Sequence, residues 1–236
     1  MRTAYCSLLP GAFCFLPTFC FPPTAAYDKR ACVRTELIEE LDAGDATLEI
    51  PWASSTEPRL RYIDLKTFPE EIDRLEECRR HPSLAALLRA IHSPGSLFRT
   101  AKCDVWTTTR LSEDERIDFK LPFKAGGYVD LLFDRVRLNS RLEPQLRLGR
   151  MLEQAARPWR RQAQMEIAVR RCLFHPRERW GYYLTIFIHA YGSSRGEAKR
   201  EWDRATQSLG EALSAASDCY LRESGKWGVA SGKRCG

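Results

Sequence analysis

The feature that most constrains this chain is the stretch from residue 162 to 217, which reads as strand, turn, strand, helix. Ala163, Met165, Ile167, Val169 and Leu173 fall on one side of a period-two pattern, with Gln164, Glu166, Arg170 and Cys172 on the other. That is the signature of a strand with one buried face. Residues 180–189 are almost continuously apolar, rich in aromatic and β-branched side chains, and follow the polar turn Pro176-Arg177-Glu178-Arg179. The two runs therefore predict an antiparallel hairpin. Tyr191-Gly192-Ser193-Ser194 supplies the next turn, and Ser194 and Glu197 stand at capping-box spacing. A helix follows, with Ala198, Trp202, Ala205, Leu209, Ala212, Leu213 and Ala216 on one stripe. Helix and hairpin each carry an apolar face that must be buried, and burying them together leaves the hairpin's other face free or covered by something else.

The same grammar recurs upstream. Residues 100–110 and 127–133 read as strands, followed by a helix over 140–156 in which Ser140 and Glu143 have capping-box spacing. Further back, residues 47–51 and 59–66 read as shorter strands, followed by helices over 68–80, with Thr67 and Glu70 at capping-box spacing, and over 83–92. Residues 35–45 read as a short acidic helical turn ending at Gly44, residues 111–126 as a long connection, and residues 218–236 as a tail. The second strands share a local likeness, Tyr62-Ile63-Asp64-Leu65, Tyr128-Val129-Asp130-Leu131 and Tyr182-Tyr183-Leu184-Thr185, which suggests up to three ββα units. The expected fold is α+β: an antiparallel sheet built from ββα units, with a ββαββα core over 100–217 that is ferredoxin-like in composition and helices covering one face. A first ββα unit over 35–99 extends it. The turn Gly192-Ser193 followed by Glu197-Ala198 and a regular helix resembles the last strand-to-helix turn of HicB-type antitoxins; the likeness implies a strand, a turn and a helix and carries no function.

Residues 1–34 differ from the rest. No charged residue occurs between Thr3 and Tyr27, and Cys6, Cys14 and Cys20 sit among Phe, Leu and prolines. Pro10 and Pro17 interrupt any helix there, which argues against a membrane span. An atypical tail is the main expectation, with a signal-like segment over residues 1–26 as the alternative. The expected location is correspondingly cytoplasmic, or exported if that segment is a signal.

The nine cysteines have irregular spacing with no CxxC pair, and the four histidines are scattered. No metal site, no cofactor and no complete disulfide framework is expected. Nucleophile elbows, phosphate loops and zinc-protease motifs are equally missing. Two groups of residues remain. Asp64, Asp104, Asp130 and Glu166 interrupt strands, where carboxylates face solvent, pair with arginine or serve a site. If the two later hairpins share a sheet, Asp104, Trp106, Asp130, Glu166 and Tyr183 form a polar-aromatic face suited to a ligand, a peptide or a stacked single strand. Between residues 134 and 179 twelve Arg face five acids, which makes Arg147, Arg150, Arg157, Arg160, Arg161 and Arg170 candidates for binding an anion, nucleic acid included. The functional expectation is a non-catalytic binding or assembly module that meets a protein partner or a second copy of itself. Two alternatives stay open: a nucleic-acid binder using the arginines, and an enzyme with strand carboxylates in a pocket.

Overall fold

Described in the computed structural model are residues 35–45, 47–54, 57, 61–157, 159 and 162–229. The N-terminal extension over residues 1–34, together with Arg160 and Arg161, lies outside them. Six strands, β1 (Thr35–Glu40), β2 (Leu48–Ile50), β3 (Phe98–Thr108), β4 (Phe123–Phe133), β5 (Ala163–Phe174) and β6 (Arg179–Gly192), form one sheet. The helices are α1 (Glu76–Arg80), α2 (Pro82–Ile91), α3 (Glu113–Phe119), α4 (Val136–Asn139), α5 (Leu142–Ala156) and α6 (Arg195–Val229). The chain is thus a mixed α+β protein with a mostly antiparallel sheet.

Strand order is β1-β5-β6-β4-β3, with β2 also pairing β5. The pairs β5/β6, β4/β6 and β3/β4 are antiparallel, whereas β1 and β2 both run parallel to β5. The alternation in residues 163–173 does what period two requires: Met165, Ile167 and Val169 turn to the main core with Leu184, Ile186 and Ile188 of β6 and Val129 and Leu131 of β4. On that side the stripe Ala198, Trp202, Ala205, Leu209, Leu213 and Ala216 of α6 packs with Leu84, Leu87, Leu88 and Ile91 of α2 and Leu148 and Leu152 of α5. The Gly126-Gly127 pair lets two tryptophans lie across β4, one on each side. A Cβ at Gly126 would stand 2.8 Å from the Trp106 indole, and one at Gly127 would stand 2.8 Å from the Trp202 indole.

Several local expectations are corrected. Residues 35–40 form a strand, not an acidic helical turn: Leu37 packs on the main core against α5, and Glu40 reaches Arg170. No residue of this edge strand is fully buried, so the segment carries no apolar alternation. Residues 48–50 pair with β5, and the segment expected as their partner strand contributes, among its described residues, a bridge between Arg61 and Ala53. That segment is held by Leu65, buried in the main core, and by charge, since Arg99 and Lys66 both meet Asp134 and Arg99 also approaches Asp64. The helix expected over 68–80 is a 3-10 turn, Pro69–Arg74, and then α1, broken at the extended Leu75. The expected caps Thr67 and Ser140 make no cap bond; α5 starts after Arg141, and the Ser140 hydroxyl donates to the Arg137 carbonyl. The 111–126 connection contains α3, opened by a complete Ser112–Glu115 capping box. Finally, α6 runs through Val229, where a tail was expected from residue 218. Tyr220 is buried, stacks edge-on against Phe133 and donates its hydroxyl to the Pro144 carbonyl at 2.8 Å.

Candidate functional site

Helices α2, α5 and α6 pack on one face of the sheet, and the opposite face takes its side chains from alternate residues of five strands. Strand register defines its rows. The central row runs Glu36, Glu166, Phe187, Tyr128, Asp104 from β1 to β3. On one side lies the row Gln164, His189, Gly126, Trp106; on the other lies Ile38, Ala168, Thr185, Asp130, Lys102. Beyond that, Arg170 stands between Glu40 and Tyr183. All five residues expected to line a ligand face, Asp104, Trp106, Asp130, Glu166 and Tyr183, therefore share one side of the sheet. A β-bulge between Thr100 and Lys102 sets this parity on β3. It turns Thr100 to the helix side, where His92 meets its hydroxyl at 2.8 Å, and aims Lys102, Asp104 and Trp106 the other way.

Each end of this face is closed. At one end, α3 lays Phe119 over Tyr191 with ring centroids 3.6 Å apart, and Glu115 accepts the Tyr191 hydroxyl at 2.8 Å and pairs with Lys124. At the other end, Leu48, Ile50, Ala101, Leu132, Cys172 and Tyr183 form a second small core beneath Trp52, whose indole donates to the Ala101 carbonyl at 2.7 Å. Between these ends, among the described residues, the floor is aromatic and half-buried. Trp106, Tyr128, Phe187 and His189 form a closed circuit, each ring centroid 5.8 to 6.4 Å from the next, an arrangement typical of packed aromatic side chains.

A polar relay borders the rings. Glu40 accepts from Arg170 Nε at 2.7 Å, Arg170 Nη1 donates to Thr185 Oγ1 at 3.2 Å, and that hydroxyl donates to Asp130 Oδ1 at 2.6 Å. The Arg170 guanidinium also lies 5.5 Å from the Phe187 ring centre. Burial pushes the Asp130 carboxyl up to about 6, against the opposing pull of Thr185, Arg170 and Lys102. Glu166 is raised too, by its burial and then by the neighbouring Glu36 and Glu40. His189 is lowered to about 4, chiefly by burial and then by Lys124, so its ring is neutral at pH 7. Burial holds the Tyr128 and Tyr183 phenols protonated, each at about 12.

Of the arginines expected to bind an anion, Arg160 and Arg161 lie outside the described residues, and the other four divide between the two sides of the sheet. Arg150 and Arg157 are exposed on and just after α5, Arg147 lies over the Tyr220 ring at 4.9 Å on the helix side, and Arg170 is on the opposite face with Glu40. Cys78, Cys103 and Cys172 are free thiols whose burial raises their pKa values. Among the described residues no group of three or more His, Cys, Asp or Glu side chains could hold a metal ion, and no helix is long and apolar enough to cross a membrane.

The sequence reading missed Phe187, His189, Tyr128 and Thr185 as members of this face. Their signal was present: within β6, residues 183, 185, 187 and 189 are Tyr, Thr, Phe and His, while 184, 186, 188 and 190 are Leu, Ile, Ile and Ala. Aromatic rings concealed that parity by making the run look uniformly apolar. A scan against protein-family models finds no match to the chain, and searches of the curated proteins and of the solved structures find none either.

Proposed function

We propose that this chain is a non-catalytic binding module whose open sheet face receives a segment of a protein partner. One observation carries the reading: among the described residues the circuit of Trp106, Tyr128, Phe187 and His189 is only half-buried, lying between two closed ends on the side away from α2, α5 and α6. Aromatic side chains held rigidly by a sheet give large contact area with little loss of side-chain freedom, which is why rings dominate the energetics of protein interfaces. The finer fold reading, two hairpin-and-helix units in ββαββα order with ferredoxin-like composition, belongs to the same proposal and is supported by the element order from β3 to α6. In such a unit the helices fill one side, and the other is left for recognition.

The test is covalent trapping in the protein's own cells. A photo-crosslinking residue replaces Trp106, Phe187 or, as a control on the helix side, Arg150 in the full chain. The expected result is one partner peptide, mapped by mass spectrometry, joined at 106 and 187 and missing at 150. A synthetic copy of that peptide should bind the unmodified chain and lose about 2 kcal/mol on Trp106→Ala, the scale of an interface hot spot. Equal trapping at all three positions, or none at 106 and 187, overturns the proposal. Trapping of a second copy of the chain replaces a foreign partner by self-assembly.

A further inference from the structure

Resting on the reading that the open face docks a protein segment, we infer that the segment is basic, crosses the strands, and carries two Lys or Arg side chains four residues apart. Arg170 is taken by Glu40 and Phe187, Lys124 by Glu115 and the Tyr191 ring, and Lys102 lies 4.5 Å over the Trp52 ring. Each of these three cations thus has an anion or a ring of its own. Glu36, Glu166 and Asp104 have no ion-pair partner among the described residues. Glu36 and Glu166 are also direct neighbours across the β1/β5 pair, a like-charge juxtaposition that destabilises a sheet unless a cation answers it.

These carboxylates are not scattered. They stand at the two ends of the central row, Glu36 and Glu166 on one side of Phe187 and Tyr128, and Asp104 on the other. Ammonium and guanidinium groups are the ligands that carboxylates and ring faces both attract. Arg170 against Phe187 shows that this face already accepts a guanidinium. A nucleic-acid strand could stack on the same rings, but its phosphates would meet three unanswered carboxylates, so the charge favours a basic peptide.

Register also gives the spacing. From Glu166 to Asp104 the row crosses three strand intervals of about 4.8 Å, or roughly 14 Å. An extended chain advances about 3.3 Å per residue, so roughly four residues span that distance, and an even separation puts both side chains on one side. The residue midway between the two basic ones then rests over Phe187 and Tyr128. Neutral His189 beside them adds a ring without adding charge at pH 7.

The experiment uses the full chain and three fluorescent peptides of equal length, read by anisotropy at low ionic strength. One has Arg at i and i+4 with Leu at i+2, the second has the same composition with adjacent arginines, and the third has Glu in place of Arg. The spaced peptide should saturate, bind about tenfold more tightly than its isomer and weaken as salt is added, while the Glu peptide does not bind. Glu166→Gln and Asp104→Asn, each checked for an unchanged melting temperature, should weaken the spaced peptide by about three- to tenfold, and Arg150→Gln should leave it unchanged. No saturable binding, equal binding of the three peptides, or displacement by a single-stranded oligonucleotide at equal concentration overturns the inference. If trapping at 106 and 187 succeeds while the peptides show no charge preference, the docking reading stands and this inference falls. If trapping fails, the docking reading falls by its own test.

Discussion

Asp130 is the residue whose surroundings disagree most with its chemistry. It is a carboxyl in the middle of a sheet, 4% exposed, with one hydroxyl donor and two cations at a distance, and it is pushed up to about 6 because those partners do not offset its lost hydration. An unfolded Asp titrates near 3.9, so between about pH 4 and pH 6 the folded chain binds the extra proton. Asp130 therefore removes stability as pH rises through that window, by about 3 kcal/mol once it is fully ionised. His189 and His92, both lowered to about 4 by burial, act in the opposite sense. Their unfolded forms hold the proton up to about 6.5, so folding stability from these two groups rises with pH over nearly the same range. The wild-type curve mixes these trends, and Asp130 is isolated only by difference. Asp130→Asn can keep the Thr185 hydrogen bond while removing the charge. Its stability relative to wild type should be smallest at pH 4 and grow by roughly 1–3 kcal/mol by pH 7, as measured by denaturant melts of both proteins at each pH. A difference that stays flat or shrinks with rising pH defeats this account.

At the scale of the element, α6 shows how a strong pattern can be read correctly and stopped too soon. The stripe through Leu209, Leu213 and Ala216 continues to Tyr220 four residues on, yet Gly225 and Gly228 further along make the segment look irregular. The Tyr220 ring meets Phe133 edge-on, lies beneath Arg147 and bonds Pro144, so this one side chain fastens α5 and the end of β4 together. Tyr220→Phe should lose about 1 kcal/mol with its hydrogen bond, and Tyr220→Ala about 3–5 kcal/mol with the ring; equilibrium unfolding with no measurable gap between the two variants would show that the ring is not part of the core. What was legible in this chain follows the same division. Periodicity within one element showed β5, β6 and the apolar stripe of α6, because alternation and helical repeat are local properties. Pairing was not legible where one six-residue strand half-buries Leu37 on one side and sets Glu40 on the other, since β1 is a strand through its pairing with β5. Capping spacing was an uneven guide. Glu197 N–H does reach Ser194 Oγ at 3.2 Å, although the Glu197 carboxylate accepts from Ser193 N–H. Thr67 donates to Asp64 instead of capping, and the one complete box, at Ser112 and Glu115, went unread. The candidate face was half legible: Asp104, Trp106, Asp130, Glu166 and Tyr183 stood out as polar or aromatic interruptions, while Phe187 looked like core until strand parity placed it.

For the whole molecule, sheet order dictates which parts share one stability. β6 lies between β5 and β4 and is covered by α6, so opening it disrupts both neighbours and the main core. β1 is an edge strand that reaches the rest mainly through β5, whereas the three residues of β2 also bury Leu48 and Ile50 in the second core with Ala101, Leu132 and Tyr183. Beyond its ladder, β1 is held by Leu37 against Gly149 of α5, by Arg170 with Glu40, and by Arg171 donating to the Leu41 carbonyl. The Arg170–Glu40 pair is partly exposed, and such pairs contribute only about 0–1 kcal/mol. β1 should therefore open without the remainder, a local unfolding of residues 35–41 at a free energy below the global value. Native-state hydrogen exchange measures this amide by amide: β6 and the facing residues of β4 should exchange only by global unfolding, while β1 exchanges several-fold to many-fold faster and with little denaturant dependence. Glu40→Gln should speed exchange in β1 and leave β6 unchanged. If β1 amides instead track β6 at every denaturant concentration, the sheet opens as one unit, and the parallel strands are as integral to the core as the antiparallel ones. The outcome bears on the docking face as well, because Glu36 lies on the part expected to open. A basic segment that draws Glu36 and Glu166 together should slow exchange in β1 more than in any other strand.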